Sequence, residues 1–139
     1  MPGPHVQVAT LCEKALQEAD GVLSIIRAID RVIVTAQGSE VPSELPQGNL
    51  QLTLVVILKS DDARGRHPVS LRIQQPSGVY LPERTFDVMF EGEERGVNLI
   101  LQLQIEALEG LFWFDVAVNQ QVLTRVPLRV MYQRVPTGP

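Results

Sequence analysis

Apolar side chains recur at every second position through most of this chain. In Leu50–Lys59 (LQLTLVVILK), Leu50, Leu52, Leu54, Val56 and Leu58 share one parity, while Gln51, Thr53 and Lys59 lie on the other. Val69, Leu71 and Ile73 alternate with Ser70, Arg72 and Gln74. Phe86, Val88 and Phe90 alternate with Thr85, Asp87, Met89 and Glu91. Val97, Leu99, Leu101, Leu103 and Ile105 oppose Asn98, Ile100, Gln102, Gln104 and Glu106. Two is the side-chain period of a pleated strand, whereas a helix needs 3.6. One apolar face and one wetter face is the pattern of an antiparallel sheet with a single buried side.

Turn signals divide these segments. Pro76-Ser77-Gly78, the charged run Glu91–Gly96 (EGEERG) and Glu109-Gly110 each stand between alternating stretches. Strands at this spacing without helices between them predict an all-β fold. The expectation is a single antiparallel β-sandwich, Ig-like or jelly-roll-like, with eight or nine strands in one domain spanning residues 1–139. Residues 1–5 and 133–139 are expected to be flexible termini. Residues 35–49 (TAQGSEVPSELPQGN), with two prolines and two glycines, are expected to form a long loop. Val6–Ala19 is ambiguous. Val8, Leu11, Cys12, Ala15 and Ala19 fit a helical stripe, and Val6, Val8, Thr10 and Cys12 fit a strand.

The formal charge is −4 and the twelve basic residues are scattered, which argues against a phosphate-binding surface and a nucleic-acid partner. The lone Cys12 cannot form an intrachain disulfide. No stretch approaches the ~20 apolar residues of a membrane span, and the first residues lack the pattern of a secretory signal. The expected location is therefore cytoplasmic, without membrane contact.

The run Asp20–Val34, DGVLSIIRAIDRVIV, resembles the second strand of a family of small bacterial and phage-borne domains of unknown function. Its members often read "G-x-L-S-I-I-G-x-F-D-R-I" there. The Pro76–Gly78 turn, the Gly-x-aromatic segment Gly110–Asn119 and the PLRV run within Val126–Val130 are similar to the family as well. Arg27 and Ile29 depart from it, standing where Gly and Phe are usual. The resemblance covers about Val6 to Tyr132. It implies a β-sandwich whose first segment is a strand up to about Ala15, and it implies no activity.

The C-terminal segments raise the sharpest question. Gly110–Asn119 (GLFWFDVAVN) holds the only Trp of the chain between two Phe. Phe112, Phe114, Val116 and Val118 share one parity, and so do Val126, Leu128 and Val130. Both sets face the core only if opposed residue numbers add to an even sum, because a one-residue slip turns a strand over. A three-residue loop, Asn119-Gln120-Gln121, meets that condition. It pairs Val118 with Val122, Phe114 with Val126 and Phe112 with Leu128. Asp115 then opposes Arg125 and Trp113 opposes Pro127 on the outer face, with an Arg in reach of the indole. Leu111, Leu123 and Met131 are expected on that same face. Pro127 lacks an N–H, so an edge or a bulge is expected nearby.

An apolar patch rimmed by Arg marks a protein contact surface. The candidate interface is Leu111, Trp113, Arg125, Pro127, Arg129 and Met131. The expected role is a non-catalytic protein-interaction or assembly module, acting on a protein partner or as a homodimer. The alternative weighed is a hydrolase using loop carboxylates at one end of the sandwich. Its acid/base pair would come from Glu83, Asp87 or Glu106, whereas the paired carboxylates Asp61-Asp62 and Glu91-Gly-Glu93-Glu94 read as solvated loop charges, too few and wrongly set for a calcium loop. Such a site needs an aromatic-lined cleft, and only seven aromatic residues are present. Cys12, His5 and His67 lack the spacing of a nucleophile–base pair or of a zinc site. No phosphate loop occurs, so no cofactor, metal or small-molecule ligand is expected.

Overall fold

The computed structural model describes Pro2–Val135. Among these residues the regular structure is all β, in seven strands. They are β1 (His5–Gln17), β2 (Leu23–Ile29), β3 (Arg31–Gln37), β4 (Asn49–Gln74), β5 (Arg84–Glu106), β6 (Gly110–Val118) and β7 (Gln121–Val135). The ambiguous first segment is thus a strand. It pairs with β2 on one side and β4 on the other, and Leu11 and Cys12 at its centre are fully buried.

All seven strands join one hydrogen-bonded sheet in the order β2-β1-β4-β6-β7-β3, with β5 added on β4. The sheet is mixed, because β3 runs parallel to β7 while the other pairs are antiparallel. This corrects the purely antiparallel expectation. The count also differs from eight or nine, and the cause is local. Leu50–Lys59 and Val69–Ile73 are two ends of the single strand β4, and the two alternating halves of β5 are likewise continuous. The charged run at 91–96 is therefore a kink and not a turn. Asp61 (φ 53°) and Gly65 (φ 85°) bend β4, and Gly92 (φ 93°) and Glu93 (φ 56°) bend β5 opposite them. Left-handed residues and register shifts are how a long ladder changes direction without ending.

The bends give the sheet two arms. The first half of β4 lies between β1 and the second half of β5. Its second half lies between β6 and the first half of β5. The run Asp20–Val34, expected as one strand, is cut at Asp30 into β2 and β3. These two strands sit at opposite ends of the pairing order. In a flat sheet five strand spacings would hold them roughly 24 Å apart, yet two peptide steps reach at most about 7.6 Å. The sheet must therefore curl until its two ends meet at Asp30. The Asp30 carbonyl accepts a hydrogen bond from the Arg129 N–H, which locks the junction to β7.

Inside the curl, one apolar cluster takes side chains from both arms. Leu11, Leu54, Leu58, Leu103 and Ile105 of one meet Val69, Phe90, Phe112, Phe114, Leu128 and Val130 of the other. The alternation named from the sequence is thus the division between the two faces of the sheet, although Thr53, Val55, Ser70 and Asp115 on the outer one are buried too. The stretch expected as a loop at 35–49 is shorter than that, because β3 runs to Gln37 and β4 begins at Asn49. The connection is tied down by the Tyr132 hydroxyl, which donates to the Pro42 carbonyl at 2.9 Å, and by Leu45 against the core. At the ends, β1 starts at His5 and β7 continues through Val135. The terminal expectation for Met1 and residues 136–139 lies outside the described residues.

Candidate functional site

The turn between β6 and β7 decides which side chains reach the outer face. Asn119 and Gln120 both have positive φ (50° and 69°), and Val118 pairs with Gln121. This is a two-residue turn of the mirror-image type, whose twist matches the strands it joins. It replaces the expected three-residue loop, and with it the Val118–Val122 pair. Alone it would set Asp115 against Thr124 and Trp113 against Val126. An extra residue, Leu123, is bulged between Thr124 (opposite Val116) and Val122 (opposite Ala117). The bulge restores the even sum, so Phe114 opposes Val126, Phe112 opposes Leu128, Trp113 opposes Pro127 and Asp115 opposes Arg125, as expected. Leu123 itself leaves the outer face and packs against the core.

Asp115 and Arg125 form the best-defined polar contact of this face. The Arg125 Nε donates to the Asp115 carboxylate at 2.8 Å, and a second guanidinium N–H reaches the Gln74 side-chain oxygen at 3.1 Å. The guanidinium carbon lies 4.6 Å from the centre of the Trp113 ring. The Asp115 hydrogen bond pushes the Arg125 guanidinium above its already high ordinary pKa. Asp115 is only 3% exposed although it points away from the core. The row it occupies explains this: Arg72 of β4 stands beside it on one side and Arg125 of β7 on the other. The residue over the indole is thus Arg125, and Trp113 is a half-buried plate held by it.

The rest of the candidate face lies toward β3. Leu111 opposes Arg129, and Arg129 in turn opposes Arg31. Met131 opposes Ile33, and these two are 40% and 48% exposed. Glu109, Gly110, Arg129, Val130, Met131 and Tyr132 line a shallow depression at this end. All six sequence candidates, Leu111, Trp113, Arg125, Pro127, Arg129 and Met131, therefore share one surface. Arg31, Ile33, Arg72 and Gln74 were missed, because their positions depend on pairing between segments far apart in the chain. A signal for Ile33 existed: it shares the parity of Arg31, Thr35 and Gln37, an apolar residue on the polar side of its strand.

The candidate chemical groups are dispersed. Asp61 is bound to His5 Nδ1 at 2.6 Å, and Asp62 accepts the Gly3 N–H at 2.6 Å. Both carboxylates thus fasten the N-terminal residues to the β4 kink. Glu91 and Arg95 form an ion pair across the β5 kink. Asp87 faces Arg66 at 3.5 Å, and Glu106 lies at the far end of β5 opposite Asn49. His67 Nε2 donates to the Arg64 carbonyl at 2.8 Å, and its Nδ1 accepts from the Asn119 amide at 3.0 Å. It joins the β4 kink to the β6–β7 turn. Cys12 is buried, and burial pushes its thiol pKa up. Among the described residues no three His, Cys, Asp or Glu side chains converge as metal ligands. None of the described residues forms a helix long and apolar enough to cross a membrane.

An all-β domain whose curled sheet leaves an Arg-rimmed outer face is matched over residues 7–131 by a family of unknown function, DUF6941. The chain belongs to that family. No curated protein matches it.

Proposed function

We propose that this chain is a non-catalytic protein-interaction or assembly module, and that it docks through the outer face built by β6, β7 and β3. The supporting observation is the row Leu111, Arg129 and Arg31 beside the row Met131 and Ile33. Exposed large apolar side chains next to guanidinium groups, of which Arg31 is held by Asp30 at 3.1 Å, suit a protein contact better than bulk water. Arg125 is engaged by Asp115, whereas Arg129 makes no ion pair among the described residues. Trp113, pinned under Arg125, serves as the packed base of the surface.

The curled sheet is read here as a sandwich of its two arms. β1 and β7 approach each other without sharing a ladder, and the two arms share one core. The reading includes a cytoplasmic location, in keeping with a single buried thiol.

The test is the solution mass and partner binding of Arg129→Glu and Trp113→Ala beside the unaltered chain. Loss of assembly by either variant with an unchanged circular dichroism spectrum is expected. Assembly indifferent to both substitutions contradicts the reading.

A further inference from the structure

Among the described residues, three strands of this sheet have an unpaired side: β2 pairs only with β1, β5 only with β4, and β3 only with β7. Open strand edges invite pairing with another chain, and proteins blunt them with charges, kinks or bulges. Two of the three edges carry such devices. β2 holds Arg27 in a left-handed conformation, paired with Glu13. β5 carries Asp87, Glu91, Glu93, Glu94 and Arg95, and is kinked at Gly92 and Glu93. β3 carries neither. Past Arg31 it reads VIVTAQ, with no charge, no proline and no positive φ. Among the described residues none of its backbone groups bonds outside the ladder with β7. The connection after it turns inward to β7 and the core, away from the open side.

We infer that β3 pairs antiparallel with β3 of a second copy, about a two-fold axis at Ile33. This inference rests on the assembly reading above and names the occupant of the face's open end. The axis position follows from side chains. Centred on Ile33, the pairing sets Arg31 against Thr35 of the second copy and Val32 against Val34, so no like charges meet. It also joins Met131, Ile33 and their two symmetry mates into one apolar stripe across four adjacent strands. The two exposed side chains of each copy are thereby covered together. Centring on Arg31 would oppose two guanidinium groups, which directly opposed strands disfavour. Val32, Val34 and Ala36 on the inner side are only half-buried in one copy and would gain cover by the same addition.

Light scattering and cross-linking test this. The unaltered chain is expected at twice 15.4 kDa. Ile33→Lys, which opposes two ammonium groups on the axis, is expected to weaken dimerisation at least about tenfold, with its spectrum unchanged. Ile33→Cys is expected to give a covalent dimer on mild oxidation, since opposed strand residues lie within about 5.5 Å and disulfides bridge that span. Ser39→Cys is expected to stay uncross-linked. A monomeric unaltered chain, or an Ile33→Cys that never cross-links, overturns the strand pairing. If the dimer persists in Ile33→Lys and is lost in Arg129→Glu, the pairing is wrong and the docking face stands.

Discussion

Deleting Leu123 should leave this domain folded. Leu123 is the one surplus residue in the β6–β7 ladder, bulged between Val122 (opposite Ala117) and Thr124 (opposite Val116). Without it the two-residue turn at Asn119-Gln120 leads straight into the observed register: Gln121 still opposes Val118, Val122 opposes Ala117 and Thr124 opposes Val116. Val126, Leu128 and Val130, which are 7%, 0% and 0% exposed, therefore keep facing the core. The loss is confined to the packing of Leu123, a partly buried side chain, worth at most roughly 1.5–3 kcal/mol. Turning the three core residues outward would instead forfeit roughly 5–9 kcal/mol of the about 5–15 kcal/mol such a domain has. Urea unfolding followed by circular dichroism, with a proton NMR spectrum for dispersion, should therefore find the deletion variant cooperative, with a loss close to that of Leu123→Ala. A deletion variant that is unfolded or molten while Leu123→Ala stays folded would refute the parity reasoning.

Other expectations concern single positions. Gln120→Gly relieves a left-handed side chain in the turn, and thermal unfolding should show a gain of about 0.5–1 kcal/mol. Gly96→Ala should lose about 1–3 kcal/mol, because its Cβ would lie 2.1 Å from the Leu58 carbonyl oxygen of the paired strand. Cys12 should resist a thiol reagent in the native state and react fully in denaturant, since it is 0% exposed. Its thiol pKa is raised above the ordinary 9.0 by burial, so the unfolded chain releases the proton first. Stability should therefore be constant in this respect at lower pH and fall as pH rises past about 9. Unfolding free energies of Cys12→Ala against pH should lack that decline.

What the sequence made legible is what side-chain period controls. The parity of Leu50–Leu58, Val97–Ile105 and Phe112–Val118 predicted the core, and the cross-strand pairs Phe112–Leu128 through Asp115–Arg125 followed from parity with an expected three-residue loop, whose even sum the two-residue turn and the bulge at Leu123 reproduce. Topology was not legible in the same way. Nothing local to Asp30 says that the strands on its two sides belong to opposite ends of a sheet. That follows from pairing with β1 and β7, more than ten residues before and nearly one hundred after. The bends at Asp61 and Gly92 look like turns in sequence because charges and glycine serve both purposes. The two-residue turn was missed since Asn-Gln lacks the usual glycine, and a bulge leaves no mark in a β-branched, apolar strand.

The division of this hairpin into a Phe side facing in and an indole facing out is best tested by the fluorescence of Trp113, the only tryptophan in the chain. Acrylamide should quench the native protein appreciably, at a rate between those of a free indole and an enclosed one, and Arg125→Ala should raise that rate by uncovering the ring. A native emission that acrylamide cannot quench, and that Arg125→Ala leaves unchanged, would place the indole in the core and contradict the account.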